Sequence, residues 1–295
     1  MKYRTITDLP TELLHTIVSQ LQDSEHSLRS SSLTCKRLRD VSLEFVFNRT
    51  LRVRNITNFD HLLRFLDTNP RALKRVDYLT LGGACQQLNM DTTGRYRLEA
   101  PIDVALVASV VDRLPSLQTL NLETLLYLPP TSEYHGEEAR RPRELRFVRV
   151  SGAWTPQCSS SGLVQVLSLF SVKGLIVYLQ GYQADDGDSV PRKAQCPKVH
   201  VHQPLAVEKL DIHATDIRGP RFTHLLLDAL ANNLQLDVLR DVSIRIDDTK
   251  AACALGDLLL RAGGSITALK LRLDAPFTPR DRDGWIDPLR GTTFV

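Results

Sequence analysis

A short apolar pattern, L-x-x-L-x-L with variants, recurs along this chain of 295 residues and limits its possible folds more than any other feature. It occurs at Leu51/Val53, Leu73-x-x-Val76-x-x-Leu79-x-Leu81, Leu117-x-x-Leu120-x-Leu122 and Leu145-x-x-Val148-x-Val150. It returns at Val177/Leu179, Val207-x-x-Leu210-x-Ile212, Leu239-x-x-Val242-x-Ile244-x-Ile246 and Ile266-x-x-Leu269-x-Leu271-x-Leu273. From one core pair to the next the offsets are 28, 41, 28, 29, 33, 34 and 27 residues. Between the two apolar residues stands a polar one in most cases: Arg52, Thr80, Asn121, Arg149, Asp211, Arg245 and Arg272. Alternation of this kind predicts a strand with one face buried.

Helical patterns fill the intervals. Asn58 to Thr68 carries Phe59, Leu62, Leu63, Phe65 and Leu66, and Ile102 to Leu114 carries Val104, Leu106, Val107, Val110 and Val111. Similar stretches run from Ser161 to Val172, Arg221 to Leu234 and Thr249 to Ala262. Strand, helix, strand at about 28 residues is the rhythm of a leucine-rich repeat. Each such unit hides its apolar faces only against its neighbours, which predicts a parallel sheet lined by outer helices. A general α/β sheet is the rival reading. The offset of 41 implies an insertion or an unrecognised repeat around Cys85 to Ala100. Pro129 to Pro142, Gly181 to Pro204 and the tail from Pro276 onward break the rhythm, and no polar capping helix follows the last strand pattern, as in a truncated chain.

The first fifty residues differ. From Thr7 the chain reads T-D-L-P-T-E-L-L-H-T-I-V-S-Q-L-Q-D. Pro10 fits the first turn of a helix, where its missing N–H costs nothing, with Asp8 upstream near the cap. Leu13, Leu14, Ile17, Val18 and Leu21 follow at helical spacing as a wide apolar stripe. A short segment with Leu28 and Leu33 comes next, then a third helix with Cys35, Leu38, Val41, Phe45 and Val46. Three short helices this aliphatic cannot bury everything among themselves. Some stripe must face the rest of the chain or another protein.

The pattern L-P-x-E-L-L-x-x-I-x-x-x-L, followed by S-L-T-C-K-R-L-R-D-V-S, resembles the F-box. The matching positions are Leu9, Pro10, Glu12, Leu13, Leu14, Ile17 and Leu21, then Leu33, Cys35, Lys36, Arg37 and Leu38. Leu38 departs from the Trp or Phe frequent there, and Ser24 to Ser32 is serine-rich where aliphatics are usual. The resemblance implies docking on a Skp-type adaptor and through it a cullin-RING ubiquitin ligase, with Leu9, Pro10, Leu13, Leu14, Ile17 and Leu33 as adaptor-binding residues. The alternative is that these helices only cap the repeats, making the chain an interaction scaffold outside the ubiquitin system.

Charge adds little. The net value is +3, and residues 1–54 carry it with nine basic against six acidic side chains. That balance suits an acidic protein surface, and equally a solvated helical face. Five scattered cysteines without a C-x-x-C pair fit a reducing compartment, cytoplasmic or nuclear, and Met1 to Asp8 lacks the apolar stretch of a secretory leader. There is no phosphate loop, G-x-G-x-x-G, G-x-S-x-G or H-E-x-x-H, so neither an enzyme nor a cofactor is expected. His200 and His202 lack a third metal ligand at a telling distance, and Asp185, Asp186 and Asp188 lack the later Glu of a calcium loop.

The expected fold is α/β: an N-terminal three-helix F-box module (1–54), an irregular leucine-rich repeat solenoid with a parallel sheet and outer helices (55–275), and an irregular tail (276–295). Polar strand positions would then line the solenoid's inner surface, where partners bind. Asn121, Arg149, Tyr178, Asp211, His213, Arg245 and Arg272 are the candidate target-binding residues. Their mixed signs suit a target protein, and no continuous basic stripe points to nucleic acid.

Overall fold

A computed structural model describes residues 5–47, 49–87, 96–98, 100–128, 141–154, 159–181, 204–214, 223–246 and 249–273. At its start Asp8 closes a 3-10 turn (Ile6–Asp8), its carboxylate accepting the Thr5 N–H at 2.8 Å. Pro10 then caps α1 (Thr11–Ser19), where a missing N–H is harmless. Ser24 caps α2 (Glu25–Thr34), its Oγ accepting the Ser27 N–H at 3.3 Å. Cys35 separates α2 from α3 (Lys36–Val46) in extended conformation, and its Sγ accepts the Leu38 N–H at 3.5 Å. This thiol caps a helix and packs, as its apolar setting predicts.

Leu14, Val18, Leu28, Leu38 and Val41 form the buried centre of the three helices, with Leu9, Leu21, Cys35, Phe45 and Val46 packed around it. The chain continues through β1 (Thr50–Ile56), α4 (Asp60–Thr68), α5 (Pro70–Leu73) and β2 (Tyr78–Gly83). Contacts divide the protein into two compact units. The first comprises residues 1–52, 58–79 and 109–117; the second comprises 53–57, 80–108 and 118–295. Within the first unit Phe47 meets Phe65 of α4 edge-on, with ring centres 5.3 Å apart. The sequence boundary at residue 54 therefore cuts through a packed unit.

In the second unit the long interval after β2 holds β3 (Cys85–Gln87) and β4 (Tyr96–Leu98), an antiparallel pair, then β5 (Pro101–Ile102). The 41-residue offset thus spans an antiparallel pair that lies outside the eight-stranded sheet. There follow α6 (Val104–Asp112), β6 (Thr119–Glu123), β7 (Leu126–Tyr127), which pairs in parallel with β5, and β8 (Arg143–Trp154). The series ends with α7 (Ser160–Leu167), β9 (Phe170–Gly181), β10 (Val207–Ala214), α8 (Thr223–Ala231), β11 (Asp241–Ile246), α9 (Thr249–Ala262) and β12 (Ala268–Leu273).

Eight strands form one sheet in the order β1-β2-β6-β8-β9-β10-β11-β12, and every pairing from β6 to β12 is parallel. All eight apolar core pairs read from the sequence lie in these strands. Leu120, Leu122, Val148, Val150, Leu175, Val177, Leu210 and Ile212 point to the buried face, which α7, α8 and α9 supply with Leu163, Val164, Leu226, Leu227, Leu255 and Leu258. The helix expected over 161–172 stops at Leu167. A turn at Ser168 and Leu169 then delivers Phe170, itself buried, into β9.

Thr124 follows directly on β6. It adopts φ 49°, its N–H donates to Ser151 O at 2.8 Å and its hydroxyl donates to Gly83 O at 3.2 Å, so one residue ties β2, β6 and β8. The stretches at 129–140, 182–203 and 274–295, with His200, His202, Asp185, Asp186, Asp188 and the proline-rich tail, lie outside the described residues.

Candidate functional site

The sheet face opposite the helices carries the polar strand positions. Register puts Asn121 beside Arg149, Tyr178 beside His213, and Arg245 beside Arg272. Four of the seven candidate residues meet. The Arg149 guanidinium carbon lies 4.7 Å from the centre of the Tyr178 ring, within cation–π range. Tyr178 in turn stacks on His213 at 4.9 Å with the ring planes 10° apart. His213 Nε2 sits 2.8 Å from Asp211 Oδ1, outside the angle of a good hydrogen bond. Neighbouring parallel strands thus stack three planar groups into a ladder backed by a carboxylate.

Asn121 departs from expectation. It is 4% exposed, and its Nδ2 donates to Glu123 Oε1 at 2.6 Å while Oδ1 has no partner. It contributes packing to the sheet and offers no free edge to a ligand. Arg245 and Arg272 lie on β11 and β12, away from the ladder. Phe147, which no polar-position search would find, is exposed on the same face and covers Gly174 of β9.

The N-terminal module presents a second surface. Leu13 and Ile17, one turn apart on α1, are 51% and 41% exposed, and Leu33 at the end of α2 is 86% exposed. Pro10 is exposed and Leu9 half-buried against the core. Leu14, at 0% exposure, lies in the module's interior. Helical periodicity cannot separate Leu13 from Leu14, because both sit on the edge of a wide stripe. Ile6, 47% exposed, adds an apolar side chain that the sequence reading missed because it precedes the periodic segment.

A family model for F-box-like domains matches residues 6–52, the segment that contains all of these side chains. The chain carries an F-box-like domain. The match spans the three helices and the start of β1, so the module identified by its L-P-x-E-L-L opening is the one the family describes. No curated protein and no solved structure matches the chain. F-box domains serve generally as the Skp-binding part of adaptors in SCF-type ubiquitin ligases, and the domain at residues 6–52 suggests an adaptor role of that general kind.

Among the described residues no group of three or more His, Cys, Asp or Glu side chains is placed to hold a metal ion. His224 and Asp228 of α8 face Cys253 and Asp257 of α9 across a surface pocket without forming such a cluster. No helix among the described residues is long and apolar enough to cross a membrane.

Proposed function

We propose that this protein is a substrate-recognition adaptor subunit of an SCF-type ubiquitin ligase. Its F-box docks on a Skp-type adaptor through Leu13, Ile17 and Leu33, with Leu9 and Pro10 at the rim. The parallel strands form a leucine-rich repeat-like solenoid whose open face holds a target protein. The chain supplies positioning and no nucleophile: it raises the effective concentration of a target near a ligase that performs the chemistry.

The observation that carries this reading is the exposure of Leu13, Ile17 and Leu33 on a module whose own core is already complete. Burying one such side chain is worth about 1.5–3 kcal/mol. A soluble chain gains from covering three with a partner. Support for the solenoid comes from the sequential strand order and the near-regular spacing of its core pairs.

Co-expression with a Skp-type adaptor tests the docking face. Leu13→Asp and Ile17→Asp are expected to lose capture by more than tenfold while keeping the wild-type melting temperature. Leu14→Asp is expected to lose capture by unfolding the module, seen as a lost thermal transition. Full capture by both surface variants would remove the proposed face. A second reading, in which the helices only cap a scaffold, draws on the packing of Phe47 against Phe65. It predicts that no adaptor is captured by any of these chains.

A further inference from the structure

We propose that the open sheet face from β8 to β12 binds an extended, carboxylate-bearing segment of a protein, with Arg149 as its central anchor and Lys270 and Arg272 as its outer one. The proposal deepens the target-binding reading above and rests on it.

Arg149 is the central observation. It is exposed, and among the described residues no carboxylate lies within ion-pair distance of it. Its contact is the face of Tyr178, which leaves the guanidinium edge, with its parallel N–H donors, directed at solvent. That edge matches a carboxylate in bidentate geometry. The stack behind it removes much of the side-chain freedom that an exposed arginine would otherwise lose on binding. Tyr178 is held between Arg149 and His213, and His213 is flanked by Asp211, so the anchor is ordered before any partner arrives.

The charges on the same face agree. From β8 to β12 it carries Arg149, Lys209, Arg245, Lys270 and Arg272 against Asp211 and Asp241. Asp211 already lies against His213. Arg245 and Arg272 are register partners on adjacent strands. Lys270 stands two residues from Arg272 on the same side of β12, so the two exposed cations offer an anionic group laid across that strand a second contact. Spacing sets the ligand's form. Arg149 lies four strand steps from β12, about 19 Å at ordinary strand separation, which about six extended residues span. Carboxylates about six residues apart in an extended segment reach both anchors. Phe147, exposed beside Lys209's row of the face, gives such a segment an apolar stop.

The probe is a random dodecapeptide phage library selected on the immobilised full-length chain, with the Arg149→Gln chain as counter-selection. Selected peptides are expected to be at least threefold enriched in Asp and Glu, with acidic positions about six residues apart. As synthetic fluorescent peptides they should bind Arg149→Gln at least tenfold more weakly, and Arg272→Gln at least threefold more weakly. Binding to Arg71→Gln, a substitution at an exposed position of α5, should be unchanged. Selection without acidic enrichment, or binding to Arg149→Gln within twofold of wild type, overturns the proposal. So does a phosphoserine-for-glutamate peptide that binds tenfold tighter, since the anion would then be a phosphate. Skp-type adaptor capture by the same preparations separates this inference from the docking reading. Capture without acidic peptides defeats only the inference, and acidic peptides without capture defeat only the docking.

Discussion

At the scale of single residues the sequence sorts polar from apolar but not the two sides of an apolar stripe. Leu13 and Leu14 are chemically identical neighbours, yet one is half-exposed and the other sealed. A second residue-scale case concerns Asp67 and Arg113, 46 positions apart. Arg113 Nε and Nη2 donate to the two carboxylate oxygens at 2.6 and 3.3 Å. The guanidinium holds the Asp67 carboxyl below its ordinary value, mainly through that hydrogen bond. Folded Asp67 therefore takes up its proton less readily than unfolded Asp67. The pair's stabilisation is complete above the ordinary carboxylate pKa, about 3.9, and is lost as pH falls through the lowered value. Melting curves of the wild type and Arg113→Met between pH 2 and 7 check this. A small gap in melting temperature near neutrality should close toward the acid end, and a gap that widens there would contradict the assignment.

At the scale of elements, caps and turns explain where strands and helices stop. The helix pattern beginning near Ser161 runs on in sequence as far as Val172, but Phe170 has to enter the sheet between β8 and β10, so the helix ends early. The turn after β6 is built around Thr124, whose positive φ is unusual for a β-branched residue. Facing it, Gly152 adopts φ +131°, and a Cβ there would come within 2.7 Å of the Thr124 nitrogen. Both the backbone angle and the contact exclude a side chain. Gly152→Ala is expected to cost about 2–3 kcal/mol, measured by urea unfolding. A variant as stable as wild type would mean that this turn is free to rearrange.

At the scale of the whole molecule the two compact units do not coincide with the sequence divisions. The first unit combines the F-box helices with α4, α5 and the segment 109–117. Removing residues 1–54 takes away β1, leaves β2 as a bare sheet edge, and strips Phe65 of its Phe47 neighbour. Exposed edges and apolar surface favour aggregation. The truncated chain is expected to elute as aggregate in size-exclusion chromatography, whereas the full-length chain elutes as a defined species. A soluble, monodisperse truncation would show that the downstream sheet stands without the module.

Read alone, the sequence already determined the α/β class, the N-terminal F-box and the strand identity of all eight apolar pairs, because local periodicity and side-chain chemistry carry that information within a few residues. It did not show that Asn121 is covered and bonded to Glu123, that Leu14 is sealed, or that Arg149, Tyr178 and His213 stack. Those outcomes depend on which strands are neighbours and in what register. Register is set by packing between segments some 30 residues apart, to which no local pattern is sensitive.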